Sequence, residues 1–396
     1  MILTIFALIA IFFLAVYLIG FPAYSLFYAK RIFPRRFGKL GSPGIPVNVI
    51  VPCKWDGEHL EENLRAVASQ DYPRFTATFV TDTADDGAVP AISRVIKDHP
   101  NARHLVAGFA EKCAQKNHVQ LTVIASDPKS DVFVVCDSDL RPEPKWLSEM
   151  VRPHLDPSVC VTASSRWIQP SHGGLGARIY TGMAAYYPAI ISSPLTPTLW
   201  GGCFSISRKG FFEMGIEERW NNTEDDDLVL ASRMKELGRR PVFVPPAVSV
   251  SHEAHATVRS LVKWFTRQGL TGKLHAFWLW VALVGIETLA CLSMAGSTAL
   301  VVGQALTGGI DAASLFALAV FAMVMGNGLL GKLPYMDKKD MSLAWWLFVP
   351  IPGHFAIGFA LWRSVFLKKM KWGSVTLEFN KDGTIRNLIR HTEAGD

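Results

Sequence analysis

The sequence predicts an α/β fold, a doubly wound and mostly parallel sheet, with transmembrane helices at both ends of the chain. Three observations carry this. Val132 to Cys136 is apolar without interruption and bounded by charge, the pattern of a strand buried on both faces. Strand-like runs alternate with helical patterns from Val47 onward, which is how βαβ units read. Hydrophobic residues make up 49% of the 396, mean hydropathy is +0.21, and the stretches with almost no charge cluster at 1–29, 276–331 and 343–362.

Taken in order, residues 1–29 are apolar for longer than a signal-peptide core, lack a basic n-region and show no clean cleavage site, so they read as a permanent anchor. Lys30, Arg31, Arg35, Arg36 and Lys39 follow in a basic juxtamembrane linker, 30–46, and the positive-inside rule puts them and the next domain in the cytosol. The α/β domain spans 47–255. It opens with the strand VNVIVPCK, then a helix in which Leu60, Leu64 and Val67 recur at helical spacing before Asp71, Tyr72 and Pro73 end it. The strand TATFVTD ends at Asp82, a helix runs from Pro90 to His99, the strand HLVAG leads into the helix AEKCAQKNHVQLTVIAS, and the Val132 strand closes the series. Each strand ends in polar or acidic residues, so these gather on the carboxyl edge, where open α/β sheets bind ligands.

Residues 256–275, rich in Trp, Phe, Arg and Lys, suit a membrane interface. A membrane cluster of about three segments occupies 276–366, its last member broken by Pro350, Pro352 and Gly353, and 367–396 is a polar tail. Three crossings would send Lys368, Lys369 and Lys371 outside, so either the broken segment is re-entrant or the charge rule fails there. The net charge of +6 flanks membrane segments and forms no basic tract with interleaved aromatics, which argues for lipid contacts and against nucleic acid. Six scattered cysteines without a CxxC pair point to reduced thiols, with no zinc or disulfide framework. His252 and His255, in HEAH, lack the spacing of the zinc motif HExxH.

The Val132 strand ends in Asp137, Ser138 and Asp139, and Pro142 and Pro144 stop it from continuing. Two carboxylates one residue apart repel unless a cation joins them, and a hard divalent ion bridging to substrate phosphate is the usual solution. A solvated acidic turn is the plainer alternative.

In order, VNVIVPCKWDGEHLEENLRAVASQDYP, FVTDTADD, VVCDSD, WGGCFSISRKGF and TEDDDLVLASRMKELG resemble the successive motifs of family-2/21-type membrane glycosyltransferases with a nucleotide-binding GT-A fold. Ceramide glucosyltransferases are the most similar group, and the resemblance spans roughly Val47 to Trp264. It implies that Asp82 hydrogen-bonds the uracil of a UDP-sugar, with Asp85 and Asp86 as weaker candidates or helix caps. It further implies that Asp137 and Asp139 hold Mg²⁺ or Mn²⁺ against the diphosphate. Lys112 and Lys116 would add a positive contact to the nucleotide or phosphates, with a solvated helix face as the alternative for at least one of them.

In the third acidic motif, Asp225 follows Glu224 and matches the general base, with Asp227 supporting the helix start and Asp226 solvated. One base without a carboxylate nucleophile implies direct displacement with inversion. Gly201 and Gly202, after Trp200, match an acceptor-side loop, as does Glu224. The closing QxxRW motif is only approximated by Ser260, Leu261, Val262, Lys263 and Trp264, so Lys263 and Trp264 are either site residues or a membrane-surface belt. The implied reaction moves a hexose, glucose from UDP-glucose foremost, onto a membrane lipid such as ceramide. A hopanoid, diacylglycerol or polyprenyl phosphate acceptor, a polysaccharide synthase and a non-enzymatic membrane scaffold are the alternatives. The oligomeric state stays open.

Overall fold

The computed structural model describes residues 2–55, 57–170, 174–196, 198–253, 256–307, 312–336, 341–373 and 375–391. The chain forms two compact units, one of 1–30, 168–193 and 253–367, the other of 31–167, 194–252 and 368–396. Its strands are β1 Val47–Pro52, β2 Phe75–Thr81, β3 Ala102–Val106, β4 Val132–Cys136, β5 Leu140–Arg141, β6 Val161–Ala163, β7 Arg166–Pro170, β8 Cys203–Ser207, β9 Val242–Phe243, β10 Ser249–Glu253, β11 Lys369–Trp372, β12 Val375–Phe379 and β13 Ile385–Arg390.

The α/β unit is built on a seven-stranded sheet ordered β3-β2-β1-β4-β8-β6-β9. β1, β2, β3 and β4 are parallel, as are β6 and β9, while β8 runs antiparallel to β4 and β6. The apolar runs become its core: Val49, Ile50, Val51, Phe79, Phe133 and Val134 are fully buried, which parallel strands covered on both faces require. Helices Leu60–Ala68, Val89–Asp98 and Gln115–Ser126 make the crossovers. The last of these starts later than its sequence pattern suggests: Ala110 to Ala114 is irregular and Lys112 is exposed. Because β8 reverses direction beside β4, with Cys136 opposite Cys203, the residues before β8 meet the residues after β4. That reversal brings Gly201 and Gly202 to Asp137.

The polar carboxyl-terminal tail carries an antiparallel meander, β11-β12-β13, in the α/β unit. Leu377 and Met370 are buried, and the Ile385 N–H donates to the Asn222 carbonyl at 2.8 Å.

The helical unit contains candidate membrane-spanning helices, by length and composition, at Phe277–Gln304 and Ser314–Tyr335. A third, Leu8–Phe37, starts in this unit and ends in the other. The last runs past the expected anchor, so Lys30, Arg31, Arg35 and Arg36 lie on helix and not in a linker. It passes through π-turns at Val16–Gly20 and Tyr28–Ile32, directly before Pro22 and Pro34. Proline lacks an N–H and its ring crowds the carbonyl four residues back, and a π-turn absorbs both effects.

The expected third carboxyl-terminal span is two helices, Leu343–Phe348 and Pro350–Phe366. Val349 keeps helical dihedrals of −64° and −25° between them, so the break is the missing N–H of Pro350. Helix Val258–His275 begins with a capping box, Thr257 and Ser260 exchanging hydrogen bonds of 3.0 and 2.9 Å. Near its other end, Lys273 Nζ donates to the carbonyls of Ser364, Val365 and Leu367 at 2.9, 3.1 and 2.7 Å, closing the helix Pro350–Phe366.

Candidate active site

The carboxyl ends of β1, β2 and β4 lie side by side, so the residues just beyond them share one edge. Past β1, Lys54 Nζ pairs with Asp82 Oδ2 past β2 at 3.2 Å, and Asp82 is buried. Trp55 follows with a φ of 62°, a left-handed conformation costly for a bulky side chain. It is held by its N–H donating to Asp86 Oδ1 at 2.9 Å, and the same oxygen takes the Ala88 N–H at 2.9 Å. Asp86 is thus a local backbone tie.

Past β4, the Asp137 N–H donates to the Gly202 carbonyl at 2.9 Å, and a Cβ on Gly202 would lie 2.5 Å from Asp137 Oδ2. Only glycine permits that approach. Asp139 turns the other way: Arg166 Nη1 sits 2.8 Å from its Oδ2, and Ser251 Oγ donates to the same oxygen at 3.3 Å.

Lys116, in the first turn of helix Gln115–Ser126, is the hub. Its Nζ lies 2.9 Å from Asp137 Oδ1 and 3.5 Å from Asp226 Oδ2, and it donates to the Gly201 carbonyl at 2.8 Å. Burial disfavours the ammonium charge, but Asp137 and Asp226 outweigh it and raise the pKa, so Lys116 stays protonated.

The same helix positions the third acidic motif. Buried Asn117 Nδ2 donates to the carbonyls of Trp220, Thr223 and Asp225, and Gln120 Nε2 donates to Asp226 Oδ2 at 2.6 Å. Asp226 is therefore buried, at 6% exposure, and not solvated as the sequence suggests.

The helix Asp227–Glu236 is capped by Asp225, whose Oδ1 accepts from the N–H groups of Leu228 at 2.6 Å and Val229 at 3.3 Å. Asp227 does not cap it; its Oδ2 accepts the Gly201 N–H at 2.6 Å. Burial, then the neighbouring Asp227, Asp226 and Glu224, push the Asp225 carboxyl well above the ordinary range. Burial and Asp226 push Asp227 up to about 6. Glu224 is itself buried.

A cavity of about 300 Å³ opens on this edge, lined by Lys54, Asp82, Lys116 and Ser138 among others, a size at the lower end for ligand pockets. Cys53 and Cys113 also line it. Burial raises both thiols, Cys113 to about 11, so neither offers a thiolate at neutral pH.

The structure thus joins Asp137, Gly201, Gly202, Asp226 and Asp227 through Lys116, with Asp82 on the shared cavity and Asp225 on the loop that Asn117 holds. Lys263 and Trp264 belong to the helical unit. There Lys263 is exposed and the Trp264 ring packs on Tyr180 and Phe265, with centroids 5.5 and 4.9 Å away. His252 stacks on His59 at 4.9 Å, while His255 lies outside the described residues.

Sequence reasoning missed Asn117 and Gln120, although two amides three apart on a helix bearing Val119 and Val123 are a legible sign of a polar group on a buried face. It also missed Arg166, for which no local signal exists. Among the described residues no group of three or more His, Cys, Asp or Glu side chains converges as a ready metal cage. Asp137 and Asp139 supply oxygen donors of the kind a hard ion takes, although here they face different partners, Lys116 and Arg166.

Known proteins resemble this chain in fold and over its first half. A solved structure similar to this chain is the mannosyltransferase PcManGT from Pyrobaculum calidifontis, in complex with GDP-Man and Mn²⁺, with a TM-score of 0.50 and 17% identity over 90% of this chain and 98% of that one. GalNAc-T7 with UDP, GalNAc and Mn²⁺ matches at a TM-score of 0.40 and 11% identity, over 54% of this chain and 44% of that one. The first likeness establishes a GT-A-like fold. Residues 3–186 match the family described as Glycosyl transferase family 21, and that match supports a family-21 glycosyltransferase.

Proposed function

We propose that the chain is an inverting, metal-dependent transferase that moves a hexose, glucose from UDP-glucose foremost, to the hydroxyl of a membrane lipid, ceramide foremost. The observation that carries this is the clustering of acids from three distant stretches, at Asp82, Asp137 and Asp226, on one sheet edge, where Lys116 pairs with the last two beside a cavity of about 300 Å³ that Asp82 lines. Asp82 and Lys54, paired on the cavity wall, would bind base and ribose. Asp137 and Asp139 would hold Mg²⁺ or Mn²⁺, which neutralises charge on the departing diphosphate; the mannosyltransferase of the same fold was solved with Mn²⁺. Lys116 adds a fixed positive charge to that end.

Asp225 takes the proton from the acceptor hydroxyl, and its raised pKa is what a base working near neutrality needs.

The lipid acceptor is supported by the three apolar helices. Residues 31–167 and 368–391 share one unit, tied by Arg390 to the Ala110 carbonyl and by Ile385 to Asn222, so both stand on one side of the membrane. The chain must then cross an even number of times between 253 and 367. Phe277–Gln304 and Ser314–Tyr335 satisfy this if Leu343–Phe366 does not cross, which also keeps Lys368, Lys369 and Lys371 on the basic, cytosolic side.

The test is mass spectrometry of lipids gained by a host expressing the chain, against an Asp225→Asn control. A new hexosyl lipid in the first only is expected. Identical lipid profiles in both would overturn the reading.

A further inference from the structure

The cavity has a second wall that no acidic motif supplies. Trp372, Val375, Leu377, Leu388 and Arg390, all from the carboxyl-terminal meander, line it opposite in character to Lys116 and Ser138. The charged part of the lining suits a diphosphate, and the apolar part suits a planar base and ribose. We propose that β11–β13 forms the base-binding wall of the nucleotide site, with Trp372 as the aromatic face on which the base of a nucleoside diphosphate stacks and Arg390 as the latch that holds the wall in place. This rests on the nucleotide-sugar reading above.

Three anchors make the meander a fixed wall. Arg390 Nη2 donates to the Ala110 carbonyl at 3.0 Å, and its guanidinium lies 4.3 Å from the Phe109 ring centroid. Ala110 itself lines the cavity, and its N–H is held by Gln115 Oε1 at 2.9 Å. Ile385 donates to Asn222, the residue before the third acidic motif, so the wall also touches the loop carrying Asp225. Glu378, on the middle strand, binds Lys369, Arg386 and Asn387 from both neighbours and staples the three strands together. One segment, far from both in sequence, thus touches the donor cavity and the loop carrying Asp225.

The test is equilibrium binding of UDP, GDP, ADP and dTDP to the full-length protein with Mn²⁺ present, for wild type, Trp372→Ala, Trp372→Phe, Arg390→Ala and Asp82→Ala. Loss of one base–aromatic stack lowers affinity by about fivefold or more. Trp372→Ala is expected to show that loss for the preferred nucleotide and to narrow the preference among bases, with Trp372→Phe restoring most of it. Arg390→Ala should raise KM for the sugar nucleotide with kcat changed less, and an unchanged melting temperature would separate this from unfolding. Affinities within twofold of wild type in Trp372→Ala and Arg390→Ala, beside a clear loss in Asp82→Ala, would overturn the wall while leaving the functional reading intact. A wild type that binds none of the four would overturn the functional reading and this inference with it.

Discussion

Asp225 has two duties that substitution can separate. Its Oδ1 caps the helix Asp227–Glu236, and its carboxylate is proposed as the base. Asparagine keeps an oxygen for the Leu228 N–H and caps about as well as aspartate, so Asp225→Asn should change stability by no more than about 0.5 kcal/mol. Alanine removes the cap and should cost about 1 kcal/mol, or roughly 2–4 °C in melting temperature for a domain of this size. Both variants lose the base, so both should lose about 10²–10⁴ in kcat, a barrier increase of about 2.7–5.4 kcal/mol.

The assay is transfer from labelled UDP-glucose to vesicles containing ceramide, alongside thermal unfolding and UDP binding. Equal, large activity losses with unequal stability losses and retained UDP binding are expected. An Asp225→Asn enzyme above a tenth of wild-type kcat would refute the assignment. So would an activity loss that tracks melting temperature across the two variants, since the residue would then act only as a cap.

Four further outcomes follow from the geometry. Asp227 is pushed up to about 6, so between its ordinary 3.8 and that value the folded state holds a proton that the unfolded chain has released. Stability contributed by this group therefore falls as pH rises from about 4 to about 6, and Asp227→Asn should flatten that fall in a melting-temperature series; an unchanged slope contradicts it. Gly202→Ala would place a methyl 2.1 Å from Trp200 Cζ2 and 2.5 Å from Asp137 Oδ2, so a loss of about 1–3 kcal/mol is expected by denaturant titration, with transfer lost more steeply than stability. Asn117→Ala removes three donations to the acidic loop and should cost about 1–3 kcal/mol, seen as faster amide exchange at residues 223–226; unchanged exchange there would show that the loop is held otherwise. Chelation with EDTA should abolish transfer, Mn²⁺ or Mg²⁺ should restore it in wild type, and Asp137→Ala should resist rescue; transfer persisting after chelation would remove the metal from the proposal.

Local chemistry alone determined the parts of this protein that depend on short-range pattern. Short apolar runs bounded by charge and alternating with helical patterns suit covered parallel strands, and acids that end such strands fall on the sheet's carboxyl edge, so Asp82, Asp137 and Asp139 were legible from one dimension. The amino-terminal membrane helix was equally legible, because length and hydropathy suffice. What needed the tertiary structure is everything that depends on partners distant in sequence. Asp226 looks solvated among three adjacent aspartates until Gln120 and Lys116, more than a hundred positions earlier, bury and pair it. Lys116 and Lys112 are alike as sequence, and only the start of a helix after Ala114 turns one inward and leaves the other in water. The tail after Leu367 carries no long hydrophobic run, since a short meander buries few residues, here Met370 and Leu377, and is tied by partners distant in sequence, Arg390 to Ala110 and Ile385 to Asn222.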